Sequence, residues 1–163
     1  MKRALLLVSA LAAVAFGCVA TPLPQPPIEY ALDITRMGIS PSTSVITLRG
    51  DAGAFTPGGV DIRVTPLPDP NQAFLPSPGI VTVAADGSFS VTVAGSPSGT
   101  FTFEALEADR DVFVDAVKGE SSPLGDGFTP TQGDAGPDRD DDGSPDVIDC
   151  APDDPDLGGS RCN

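Results

Sequence analysis

The chain contains no histidine and no tryptophan, and Tyr30 is its only tyrosine. Without imidazole the commonest general base is missing, and so are the Ser–His and Cys–His pairs of nucleophilic catalysis. Zinc loses its usual nitrogen ligand, and three cysteines fall short of a four-thiolate cage. Carboxylates are the remaining acid–base candidates, with Glu104 near Glu107 and Asp109 near Asp111 in the chain. Residues so spaced on a strand ordinarily face solvent, and a sugar-cleaving site built from them would want aromatic platforms that are scarce here. The expectation is a protein that is not an enzyme.

Cations are also few. Nine Lys and Arg stand against 23 Asp and Glu, a formal charge of −14. Eleven of the acidic residues fall between Asp126 and Asp156, where Arg139 is the only cation. Such a field repels phosphate backbones, so nucleic acid is excluded as a partner, and it attracts cations. Long apolar runs are limited to one, at the very start. What the chain does have is 18 Gly and 18 Pro, too dense for long helices and suited to short strands joined by turns.

The start reads MKRALLLVSALAAVAFGC. Two cations precede an apolar run over residues 4–16 that only Ser9 interrupts. Thirteen residues are too few to span a bilayer, where about 20 are needed, but they suit the apolar region of a secretory signal. The residues Ala15-Phe16-Gly17-Cys18 that follow resemble the lipobox of bacterial lipoproteins, in which a small residue precedes a cysteine that becomes lipidated. Ala15 and Phe16 depart from that pattern, which usually has leucine and then a small residue. The resemblance implies a signal over residues 1–17, removed before a lipidated Cys18, and anchoring in the membrane by two or three acyl chains. Val19 after the cysteine implies the outer membrane of a Gram-negative envelope. A secreted protein cleaved elsewhere is the alternative. TPLPQPP then makes residues 18–27 a stiff polyproline tether of about 3.1 Å per residue.

Residues 28–118 show period-two alternation broken by turn residues. IEYALDI places Ile28, Tyr30, Leu32 and Ile34 on one face. SVITL, VDIRV, GIVTVA, GSFSVTV and TFTFEAL follow, and DVFVDAV closes the set with either Val112/Val114 or Phe113/Val117 inward. Ala85-Asp86-Gly87-Ser88 carries the Asp-Gly signal of a tight hairpin. Seven short strands with frequent turns predict an all-β fold, a small Ig-like, Greek-key sandwich. GAFTPGGVDIRV, ADGSFSVTVAG and SGTFTFEA are similar to segments of bacterial Ig-like repeats of surface proteins, a resemblance that bears on fold rather than function. Residues 119–137 lack periodicity and read as a flexible linker.

Residues 138–163 form an Asp-rich tail. With Asp138 as position 1, Asp140 and Asp142 fall at 3 and 5, Gly143 at 6, Ser144 at 7, Asp146 at 9 and Asp149 at 12. That is the spacing of a calcium loop: carboxylates at alternate positions, glycine for the sharp turn, the Ser144 carbonyl, and a closing carboxylate. Calcium gathers six to eight hard oxygens, and without it those carboxylates repel one another. Pro145, Asp149 in place of glutamate and the lack of flanking helices set it apart from an EF-hand. DRDDDGSPDVIDC instead resembles a thrombospondin type 3 repeat, which implies Asp138, Asp140, Asp142, Asp146 and Asp149 as side-chain ligands. The family's usual residue between the last aspartate and the cysteine is missing, and only one complete loop is present. Asp153, Asp154 and Asp156 form a second acidic cluster, a solvated turn or a source of oxygens for a second ion.

Once Cys18 is lipidated, Cys150 and Cys162 remain. In an oxidising envelope the simplest outcome is that they pair, a cross-link the chain-entropy model values at about 3 kcal/mol. A free thiol or a disulfide to a partner are the alternatives. Taken together, the reading is a lipid-anchored, non-catalytic envelope module for binding or adhesion to a protein or glycan ligand, with a calcium-stabilised tail. The alternative is an assembly accessory whose tail docks to an envelope partner.

Overall fold

Alternating side chains make strands because a period of two places every second residue on one face. The structure, a computed structural model, describes residues 27–42, 45–68, 77–108, 110–123, 127–141, 143–146 and 148–155. Among them the fold is all-β. A short pair, β1 (Ala31–Leu32) with β4 (Phe55–Thr56), stands apart. The other strands are β2 (Met37–Pro41), β3 (Ile46–Gly50), β5 (Asp61–Pro66), β6 (Gly79–Thr82), β7 (Phe89–Val93), β8 (Thr100–Leu106), β9 (Asp111–Ser121) and β10 (Phe128–Gln132). They form one eight-stranded antiparallel sheet in the order β6-β5-β8-β9-β10-β2-β3-β7.

The two edges of this sheet turn toward each other. Ser77 and Ala94 exchange backbone hydrogen bonds of 3.3 and 3.4 Å, and the Ala84 N–H donates to the Ser88 carbonyl at 2.8 Å. Between those points Gly79 of β6 lies so close to β7 that a methyl group there would sit 2.6 Å from Val91 Cγ2. The sheet is therefore a near-barrel with a seam between β6 and β7. The expected Asp-Gly turn joins them, with Gly87 at φ 85°. Ile46, Leu48, Ile62, Val64, Phe101, Phe103, Ala105 and Val117 fill the interior.

The structure departs from the sequence reading at three places. Residues 28–34 are not one strand. Asp33 ends β1 by accepting from Thr35 N (3.1 Å), Thr35 Oγ1 (2.5 Å) and Arg36 Nε (3.0 Å). A 3₁₀ turn over Ile34–Arg36 follows, because a short acidic side chain offers the backbone a local alternative to a ladder. The Thr35 hydroxyl and backbone bonds, with Arg36 beside them, also hold the Asp33 carboxyl below its ordinary pKa.

Second, residues 119–137 are not simply a linker. β9 runs on to Ser121, and β10 lies between β9 and β2. Proline argues against a central strand because it cannot donate to a ladder. Pro130 is tolerated because β10 pairs with β2 only at Phe128–Ile39, so its second edge makes no further ladder there. β2, with Gly38 and Pro41, was likewise not visible as a strand.

Third, the ambiguity over β9 has a physical answer. Opposite Phe103 and Glu104 stand Asp115 and Phe113, so Val114 is an extra residue, a β-bulge. One added residue changes the parity of the strand. Val112, Val114 and Val117 all reach the core, although no single alternation allows it.

Gly119 marks a tight crossing. Its N–H donates to the Gly99 carbonyl at 3.1 Å, and a methyl group on it would fall on the Pro97 carbonyl oxygen and within 3.3 Å of Ile39 Cδ1. Gly119→Ala is expected to cost about 1–3 kcal/mol, the range of overpacking, by displacing the β7–β8 connection. Urea denaturation would check it, and an unchanged midpoint would show that the connection moves freely.

Candidate functional site

The tail leaves the sheet in register, since Gly133 N–H still donates to the Ala116 carbonyl at 2.9 Å. Residues 138–149 then close on themselves through their own side chains. Asp138 Oδ2 accepts from Gly143 N at 2.9 Å, joining positions 1 and 6 of the expected loop. Asp146 N donates to the Pro137 carbonyl at 2.8 Å, and Asp146 Oδ1 accepts from Arg139 N at 2.9 Å. Two residues adopt the left-handed conformation needed for so sharp a path: Gly143 at φ 92°, where glycine has no penalty, and Asp141 at φ 59°, which aspartate tolerates better than most residues.

One helical turn completes the loop. Ile148 N and Asp149 N donate to the Pro145 carbonyl at 2.9 and 3.0 Å. Pro145 and Ile148 are buried, as is Ser144. Pro145, which sets the loop apart from an EF-hand, is thus a buried apolar residue and the hydrogen-bond acceptor of that turn.

The carboxylates divide into two groups. Asp138 Oδ1 and Asp149 Oδ2 are shielded from solvent and have no hydrogen-bond donor, and both oxygens of Asp140 are also buried. The second oxygen of Asp149 accepts from Ala151 N at 3.0 Å. Asp146 is different: Arg139 N holds one of its oxygens and Arg139 Nη2 the other, at 3.2 Å. Its carboxylate acts as a clasp within the loop. Among the described residues no three acidic or cysteine side chains converge tightly enough to hold a metal ion. Asp142, at the centre of the expected ligand set, lies outside the described residues, as do Cys18, Cys162, Asp156 and the signal and most of the tether. Cys150 is in a disulfide.

The carboxylates considered for acid–base work go elsewhere. Glu104 and Asp111 do not face solvent, contrary to expectation; they are 0% and 3% exposed. Arg63 on β5 reaches both, with Nη1 2.5 Å from Asp111 Oδ2 and 3.6 Å from Glu104 Oε2. Adjacency in the chain carries no sign of this cluster, because it forms across three neighbouring strands. Glu107 accepts from Arg110 Nε and the Tyr30 hydroxyl, each at 3.0 Å. The Arg110 bond holds the Glu107 carboxyl below its ordinary pKa, whereas burial followed by the Glu107 bond raises the Tyr30 phenol. Asp109 lies outside the described residues.

An open depression of about 550 Å³ lies beside the β6–β7 seam, lined by Arg49, Asp51, Asp86 and Ser88 among others. Its charged groups are already engaged, Arg49 with Asp51 at 3.4 Å and Asp86 with Ser88 at 2.7 Å. The tail loop is the stronger candidate. No family model, curated protein or solved structure matches the chain.

Proposed function

We propose that the chain is a non-catalytic, lipid-anchored envelope module for binding or adhesion, in which a small β domain carries a calcium-ordered tail. The observation that carries the calcium reading is the pair of shielded, donorless carboxylate oxygens on Asp138 and Asp149. A buried carboxylate oxygen without a donor is costly, and a hard cation satisfies it. Asp138, Asp140, Asp142 and Asp149, with the Ser144 carbonyl, would supply the shell. Asp146 supports it by fastening Arg139 and keeping the loop closed.

An Ig-like, Greek-key sandwich is the fold type this reading favours. β5, β6 and β7 follow one another along the chain, and β8 returns to lie beside β5. That is the spatial order of a Greek key once the β6–β7 seam is counted. The anchoring follows from the resemblance at Ala15 to Cys18 and places the β domain beyond a proline tether.

Calorimetric titration of calcium into the full chain, held in mild detergent, tests the site. One site is expected, with Kd in the range of roughly 10⁻⁶ to 10⁻³ M and lost in Asp138→Ala and Asp149→Ala. Absence of binding by the native chain would reduce the tail to a solvated acidic segment. Palmitate labelling of the same chain in cells, lost in Cys18→Ala, tests the anchor; labelling that survives the substitution would remove it.

A further inference from the structure

The sheet is buried on its outer face as well as its inner one. Phe101, Phe103 and Ala105 of β8 point into the core, so alternation turns Thr100, Thr102 and Glu104 outward. Across the ladders Ala116 stands opposite Thr102, while Arg63 and the half-buried Phe113 stand opposite Glu104, all on that outer face. Thr102 and Glu104 are nevertheless 0% exposed, and Ala116 is 3% exposed. A further layer of the chain therefore lies over β8 and β9.

The path of the tail leads onto this face. A methyl group on Gly133 would sit 3.0 Å from Thr100 Cγ2 and 3.0 Å from the backbone of Ala116 and Val117. A residue that simply continued β10 would point its side chain away from the neighbouring backbone. At Gly133 the chain has instead turned over β9, toward the outward side chains of β8. Burial agrees with that path. Ala116 and Ile148 are buried apolar side chains that stand outside the cluster filling the barrel. Pro145 and Ser144 are buried beside Ile148 in the chain. Six of the twelve residues from 138 to 149 are aspartate, so the loop has little apolar surface of its own with which to enclose an isoleucine.

We propose that the Asp138–Asp149 loop is docked through Ile148 and Pro145 on the outer face of β8 and β9, so that calcium held in the loop stabilises the whole β domain. This rests on the calcium reading above for the ion, and on burial and chain path alone for the docking. A ligand that binds only the folded state stabilises whatever unfolds with its site. A tail that hung free would bind its ion and leave the sheet unchanged.

Tyr30 supplies the readout. It is the only tyrosine, and it packs against Phe55 of the β domain with ring centroids 6.2 Å apart, so its emission follows unfolding of that domain. Urea denaturation of the full chain, held in mild detergent, is followed at Tyr30 in excess calcium and in chelator, with calorimetry of calcium binding alongside. Calcium at about 100 times its Kd is expected to raise the midpoint by about 1–2 M. Ile148→Ser is expected to lower it by about 1–2 M in calcium, and Ile148→Val, should the first variant not fold, by less than about 1 M. Midpoints of the variants equal to the native one in both solutions would overturn the docking, as would calcium binding that leaves the native midpoint unchanged. A lowered midpoint in the variants with no calcium binding by the native chain would sink the calcium reading and uphold the docking.

Discussion

Arg63→Met is expected to destabilise the domain by about 3–5 kcal/mol, the cost of removing one member of a buried charge cluster. The reason is the asymmetry of the site. Glu104 and Asp111 have side chains at 0% exposure, and Arg63, at 18%, is the cation that contacts both. Removing the guanidinium leaves two buried carboxylates facing each other's charge across strands β8 and β9. A domain of this size has a total stability of only about 5 kcal/mol, at the low end of the usual range. The variant would therefore be largely unfolded under mild denaturant, and the midpoint of urea denaturation would show it. A triple variant, Arg63→Met with Glu104→Leu and Asp111→Leu, should recover most of the loss, since apolar replacement of a whole buried ion cluster is often neutral or better. A native midpoint in Arg63→Met alone would mean that the guanidinium contributes nothing to holding these carboxylates.

The second large effect lies in the core. Phe103 is 0% exposed and meets Phe89 edge to face, with ring centroids 6.0 Å apart and planes at 64°. Phe103→Ala should cost about 3–5 kcal/mol, combining lost transfer energy with the cavity left behind. About 0.5–1.5 kcal/mol of that belongs to the aromatic pair itself. A double-mutant cycle with Phe89→Leu would isolate the pair, and a coupling indistinguishable from zero would show that only apolar volume matters at this contact. β8 joins β5 to β9, so loosening Phe103 is expected to affect both neighbours and to unfold the sheet as one unit.

Much of the fold is legible in the chain. SVITL, VDIRV, GSFSVTV and TFTFEAL become β3, β5, β7 and β8 nearly as read, because each has a clean alternation and a hydrophobic face to bury. The Asp-Gly turn is legible for the same reason: its conformation is a local property of glycine. The sharp turn expected at Gly143 is a local property of the same kind, and that glycine is left-handed.

Other elements were hidden because their structure is not local. FTPTQ has a proline where a strand needs a donor, and it becomes β10 only because β9 and β2 flank it. Val114 gives no sign of being a bulge until Phe103 and Glu104 stand opposite. The surroundings of Asp146 are not local either. Spacing counts it with the ligands, and only the fold brings Arg139 round to both of its oxygens.

By itself, then, the amino-acid sequence determined the class of the molecule. Alternation and dense Gly and Pro impose short strands and turns, the missing imidazole removes the commonest catalytic base, and the Asp-rich tail carries a strong negative charge. These are consequences of side-chain chemistry and near-neighbour geometry, which act within a few residues. The tertiary structure alone decided how the strands are ordered, how closely β6 approaches β7, and which carboxylates meet a cation. Those outcomes depend on pairs far apart in the chain, such as Arg63 with Asp111 and Arg139 with Asp153, whose meeting is set by packing of the whole sheet and tail.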